Sequence, residues 1–168
     1  MSSDLPISID PVKFAVSGES ISGAIMLKDM QRLVDLVNTD NGSINYELTF
    51  SMNEKRIVTV IGNIKSELTV TCQRCLDDMK ISVKNIVSIG IINKEEELED
   101  LNEDLDPYQA EKGKISLLKL IEDEILLGLP LVPLHEVADC PATESLQEYA
   151  ATKENPFAVL KSLKQQKS

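Results

Sequence analysis

Polar and apolar side chains alternate through the middle of this chain. In residues 43–50, Ile44, Tyr46, Leu48 and Phe50 fall on one side of an extended backbone and polar residues on the other. Residues 52–55 read as a tight turn. In residues 56–64, Val58, Val60 and Ile64 share a face, with Ile57 and Ile61 opposite. Residues 65–72 continue with Ser66, Leu68, Val70 and Cys72, and residues 79–92 with Met79, Ile81, Val83, Val87, Ile89 and Ile91. Four alternating runs joined by short turns predict an antiparallel meander.

Helical spacing appears on either side of it. Asp29 precedes Met30, Leu33, Val34 and Val37, and its carboxylate suits the N-cap of a short helix that Asn38 to Gly42 closes. Ser116 is placed to cap a longer helix carrying Leu117, Leu118, Ile121, Ile125 and Leu126, which Gly128 and Pro130 end. Residues 4–28 read as an irregular or short-stranded entry, with turn signals at Asp10-Pro11 and Ser17-Gly18. Residues 143–149 suit a short turn of helix. In the tail, Asn155 and Pro156 fit the start of a helix striped by Phe157, Leu160 and Leu163 and made basic by Lys161, Lys164 and Lys167. The predicted fold class is α+β: an antiparallel sheet, curled towards a small barrel, with one packed helix and short terminal helices. Residues 1–150 are expected to form a single domain, with an acidic loop at about 94–106, and residues 151–168 a basic tail.

Composition narrows the chemistry. Apolar residues make up 42% of the 168, enough for a core, but aromatics only 4%, so Ile, Leu and Val must build it. The net charge is −11, a field that repels phosphate backbones unless a local basic patch or a protein intermediary overcomes it. Glu95, Glu96, Glu97, Glu99, Asp100, Glu103, Asp104 and Asp106 crowd one stretch that cannot bury a core and must be solvated. Met1 to Asp10 holds neither a basic stretch nor an apolar run, and no window has the length of a membrane span. Three cysteines, two of them in C-x-x-C, do not make a disulfide framework, so a reducing cytoplasmic setting is expected.

Cys72-Gln73-Arg74-Cys75 is the most informative motif. A tight turn between strands brings both sulfurs to one side, as in half a zinc knuckle. A tetrahedral site needs two more ligands, and Cys140 and His135 are the only remaining cysteine and histidine. Cys72, Cys75, His135 and Cys140 are therefore the candidate set for a closed, structural zinc site. The plainer alternative makes the two cysteines small strand-end hydrophobes and His135 a surface residue. Thiol–disulfide exchange is another reading of the pair, although redox C-x-x-C motifs open a helix after a strand, and here strands flank the motif on both sides. Arg74, held on the turn, together with Lys65, Lys80, Lys84 and, at the other hairpin end, Arg56, forms a candidate basic patch for RNA or an acidic partner; scattered solubilising charge is the alternative. Glu122, Asp123 and Glu124 are successive helical positions that point apart and do not form a dyad. No phosphate loop or nucleophile elbow is present, and one histidine leaves acid–base catalysis without its usual agent. An enzyme is not expected.

Several motifs in order carry a family resemblance. They are Leu5-Pro6-Ile7, Asp10-Pro11, Cys72-Gln73-Arg74-Cys75, Ile121-Glu122-Asp123-Glu124-Ile125-Leu126-Leu127, Leu129-Pro130-Leu131-Val132-Pro133-Leu134-His135 and Asn155-Pro156-Phe157-Ala158-Val159-Leu160. In that order and spacing they resemble the bacterial YceD family, described as large ribosomal RNA subunit accumulation proteins. The resemblance implies a cytoplasmic, non-enzymatic role in the synthesis, processing or stability of 23S ribosomal RNA during large-subunit biogenesis. It implies as partners that RNA, a large-subunit ribosomal protein, or both. Some relatives carry further cysteines after the Leu-Pro-x-x-Pro element that look like a full zinc site. Here His135 stands where those relatives have cysteine, which would make the site a mixed one.

Overall fold

The computed structural model describes residues 8–39 and 41–152. The elements run in the order α1 (Pro11–Ser17), β1 (Ser20–Met26), α2 (Gln31–Val34), β2 (Ser43–Met52), β3 (Val58–Thr71), β4 (Asp78–Ile92), β5 (Asp106–Gln109), α3 (Leu117–Leu127) and α4 (Thr143–Thr152). The class is α+β, as the sequence predicts. The five strands form one sheet in chain order. β1 to β4 are antiparallel, and β5 joins β4 in parallel through Ile89↔Asp106 to Ile92↔Gln109.

Alternation places the core. Ile44, Leu48 and Phe50 of β2, Val60, Ile64 and Leu68 of β3, and Val83, Val87 and Ile89 of β4 are all buried on one face. Leu117, Leu120, Ile121 and Ile125 of α3 are buried in the same cluster, and Phe14 of α1 meets Phe50 with ring centroids 5.4 Å apart. The other face carries Asn45, Glu47, Lys65, Glu67, Lys80, Lys84 and Ile86, all exposed. Gly62 belongs to the tightest backbone approach: a Cβ there would lie 2.0 Å from the carbonyl oxygen of Glu47 on β2. Only a residue without a side chain lets β2 and β3 close there.

Local signals set the helix ends. Asp10 accepts the Val12 amide at 3.1 Å, Pro11 opens α1, and Gly18 closes it at φ 65°. Ser116 Oγ accepts the Lys119 amide at 3.3 Å to start α3, and Gly128 ends it.

Several expectations are corrected. The sheet is open, not curled to a barrel: β1 and β5 stand at its opposite edges. The runs at 56–64 and 65–72 are one strand, β3, because the buried parity at Val58, Val60, Ile64 and Leu68 never breaks. The entry segment holds α1 and β1. Asp29 does not cap α2; Met30 occupies the N-cap position without a side-chain bond, and α2 is a single turn. The acidic stretch is solvated as expected but ordered. Glu95–Asp100 forms a 3₁₀ helix with no buried residue, Glu97 accepts the Asn93 amide at 2.8 Å, and Lys55 pairs with Asp100 at 3.1 Å. The helix expected at 143–149 runs to Thr152. Leu5, Pro6 and Ile7 and the tail helix from Asn155 lie outside the described residues. Among the described residues no helix is long and apolar enough to cross a membrane.

Candidate metal centre

The turn between β3 and β4 is built around Cys72. Its amide donates to the Asp77 carbonyl at 2.9 Å, and its carbonyl accepts the Leu76 amide at 2.9 Å, with Leu76 at φ 66°. The chain thereby doubles back within the motif, with Cys75 on the same side as Cys72. The segment after α3 is tied onto this turn, since the Gln73 amide donates to the Pro133 carbonyl at 2.9 Å. The Cys72 sulfur accepts two further amides, from Arg74 at 3.5 Å and His135 at 3.4 Å.

These bonds bring the four predicted donors together. The ligand atoms of Cys72, Cys75, His135 and Cys140 all lie within 4.8 Å of one another, a group that could hold a metal ion. Cys75 Sγ and His135 Nδ1 are 3.3 Å apart. Cys72 and Cys140 are buried; Cys75 and His135 are half-buried. Burial opposes ionisation of Cys72, but the amides of Cys75, His135 and Arg74 outweigh it and bring the thiol down to about 5. At Cys75 burial dominates; joined by the adjacent sulfurs of Cys72 and Cys140 and only partly offset by the Asp77 amide, it pushes the thiol up to about 11.

The arm that delivers His135 and Cys140 has almost no core. Among residues 128–149 Cys140 is the only buried one, while Leu131, Val132, Leu134 and Val137 are exposed. Its few internal backbone bonds include Asp139 to Glu136 at 3.0 Å and Thr143 to Cys140 at 3.0 Å. The C-x-x-C pair sits on a hairpin turn between antiparallel strands and not at a helix start, so the geometry lends no support to thiol–disulfide exchange.

The basic candidates separate into three places. Arg74 is half-buried, and its Nη1 donates to Thr143 Oγ1 at 3.2 Å, which stitches the knuckle to the first residue of α4. Lys65 and Lys84 are direct cross-strand partners on the uncovered sheet face. Lys80 lies on that face four residues along β4, opposite Thr69. Arg56 is remote from both groups, at φ 64° in the β2–β3 turn.

Glu122 was not expected to matter. It is buried on α3, where Oε1 accepts the amides of Arg32 at 2.8 Å and Leu33 at 3.3 Å. Its Oε2 accepts Arg32 Nε at 2.9 Å, and Arg32 also meets Asp123 at 2.6 Å. Hydrogen bonds to the carboxylates of Asp123 and then Glu122 raise the Arg32 pKa. This carboxylate supplies the cap that Asp29 does not, and fixes α2 on α3. The one available sequence signal is a glutamate beside Ile121 and three before Ile125 on the apolar stripe.

Comparison with known proteins adds an independent finding. A family model described as "Large ribosomal RNA subunit accumulation protein YceD" matches residues 60–164. A Haemophilus influenzae protein named "Large ribosomal RNA subunit accumulation protein YceD" is 30% identical over 168 residues, covering 96% of this chain and 97% of that protein. No solved structure matches the chain.

Proposed function

The chain belongs to the YceD family of large ribosomal RNA subunit accumulation proteins, and on that premise we propose that it is a non-enzymatic cytoplasmic factor supporting the accumulation of 23S ribosomal RNA, with a structural zinc ion at its knuckle. The observation that carries the zinc reading is the coreless arm. A segment whose one buried residue is a cysteine brings Cys140 and His135 to Cys72 and Cys75, with all four ligand atoms within 4.8 Å of one another. A tetrahedral zinc holds sulfurs about 3.8 Å and sulfur and nitrogen about 3.5 Å apart. Cys75 Sγ and His135 Nδ1, 3.3 Å apart, stand near the second of these, and thiolate with imidazole suits zinc. Two amides on the Cys72 sulfur supply the supporting shell such sites use. Four protein donors leave no open position for substrate, so the ion would hold structure and not catalyse. The only histidine is then a ligand, which leaves acid–base chemistry without it.

The acidic balance directs the choice of partner. A net charge of −11 and a run of eight carboxylates from Glu95 to Asp106, none of them buried, favour contact with the RNA through a basic ribosomal protein. One observation favours direct contact instead. Lys65 and Lys84 face each other across two strands, a like-charge pairing that costs stability and that a phosphate would relieve. A strain lacking the gene should show a lower ratio of 23S to 16S ribosomal RNA, restored by the wild-type chain; an unchanged ratio would sink the rRNA reading. Affinity capture before and after RNase separates the two partner routes. Ribosomal proteins retained after RNase support the protein route. Their loss, with naked rRNA fragments binding the purified chain, supports the lysine face.

A further inference from the structure

The two edges of the sheet differ in a way that points to a partner. β5 spans four residues, opens on Asp106 and contains Pro107, which has no N–H to offer. Short length, charge and proline are the devices that keep sheet edges from pairing. β1 has none of them. Its seven residues, Ser20-Ile21-Ser22-Gly23-Ala24-Ile25-Met26, include no charge and no proline.

The register shows which backbone groups face outward. Phe50 donates to the Glu19 carbonyl at 3.0 Å and Leu27 to the Gly42 carbonyl at 3.1 Å, at the two ends of the β1–β2 ladder. In an antiparallel ladder hydrogen-bonded residues alternate, so Glu19, Ile21, Gly23, Ile25 and Leu27 point their backbone groups towards β2. Ser20, Ser22, Ala24 and Met26 point theirs away from the sheet. Among the described residues no backbone bond outside the ladder engages Ser20, Ser22 or Ala24, while Met26 is the N-cap of the 3₁₀ turn Leu27–Asp29, which takes up its carbonyl; all four residues are exposed. That is a row of free donors and acceptors at the spacing an added strand requires.

Charge narrows the occupant. Between Phe14 and Leu27 the only charged residue is Glu19, and in β2 the only one is Glu47, paired opposite Ser22 on the uncovered face. Both are exposed. A second copy would combine two net charges of −11. An extended lysine- or arginine-rich segment would be attracted by the same field.

We propose that the free edge of β1 takes up an extended basic polypeptide segment as a sixth strand. Its apolar residues lie beside Ile21 and Ile25 on the core face, and its basic residues alternate with them on the side of Glu47. The proposal deepens the partner-protein reading above and rests on it for biological meaning, but the edge itself can be tested alone.

The probe is a fluorescent peptide of alternating lysine and valine, titrated into the full chain, with a copy N-methylated at alternate residues as control. The variant is Ala24→Pro, which deletes an outward N–H at a position where an edge strand accepts proline; Ser22→Pro is the second variant if the first fails to fold. The proposal expects binding of the unmodified peptide, loss of about tenfold or more in affinity with either variant, and slowed hydrogen exchange at Ser20, Ser22, Ala24 and Met26. Equal binding by wild type and variant, or by the N-methylated peptide, would show attraction by charge alone and overturn it. So would no binding, or a dimer in sedimentation that Ala24→Pro disrupts. Failure here leaves the rRNA ratio in the deletion strain untouched, and an unchanged ratio leaves the edge result standing, so the two ideas fail separately.

Discussion

Between Ser43 and Ile92 the inward positions of three long strands are mostly Ile, Leu, Val and Phe, and α3 closes over them. Between Gly128 and Tyr149 the only buried side chain is that of Cys140. The first region is stabilised by burial of apolar area, which needs no ligand. The second follows a defined path with no comparable burial, and its buried anchor is one of the four residues that could hold a metal ion. The difference teaches that the two ends of one small domain should respond differently to the same insult. Removing apolar volume should weaken everything, whereas removing a donor should loosen the arm and spare the sheet.

The largest effect is expected in the core. Leu120 is fully buried, and Leu120→Ala should cost about 2–5 kcal/mol in global stability by chemical denaturation. A value near zero would mean that α3 is not the lid described here. Gly62→Ala should cost about 3 kcal/mol, because the new Cβ would meet backbone and not a movable side chain. Cys140→Ser should act on the arm alone: amides of residues 128–149 should exchange faster while those of β3 keep their protection. If both regions lose protection together, the contrast between them fails. Glu122→Gln should cost about 1–2 kcal/mol by the same denaturation assay, since one carbonyl acceptor survives and Arg32 keeps Asp123. The smallest effect has the opposite sign. Lys84→Glu should stabilise by about 0.5 kcal/mol by turning a like-charge cross-strand pair into an opposite one, and added salt should shrink the gain.

What could be read in the sequence was what local chemistry encodes. Ser116, the apolar stripe after it and Gly128 define α3 without help from elsewhere. Strict alternation revealed β2, β3 and β4. β5 was hidden because Asp106-Pro107-Tyr108-Gln109 has no strand periodicity; pairing with β4 makes it a strand. The expected barrel curl failed for a related reason, since periodicity says which face is buried but not whether two edges meet. The four candidate donors follow from ligand arithmetic, a count that does not depend on the fold. Glu122 escaped because its partner Arg32 is 90 residues away. The basic patch divided because Arg56 and Lys65, nine positions apart, lie at different places along the β3 hairpin, while Arg74 is held by Thr143.

The most direct test of the contrast is metal content. The chain purified without added metal or chelator should contain about one zinc per molecule by inductively coupled plasma mass spectrometry. Cys140→Ser and His135→Ala should each lose most of it, and chelation of the wild type should release residues 128–149 to rapid exchange with β3 still protected. A metal-free wild-type protein whose arm is as protected as its sheet would contradict the account.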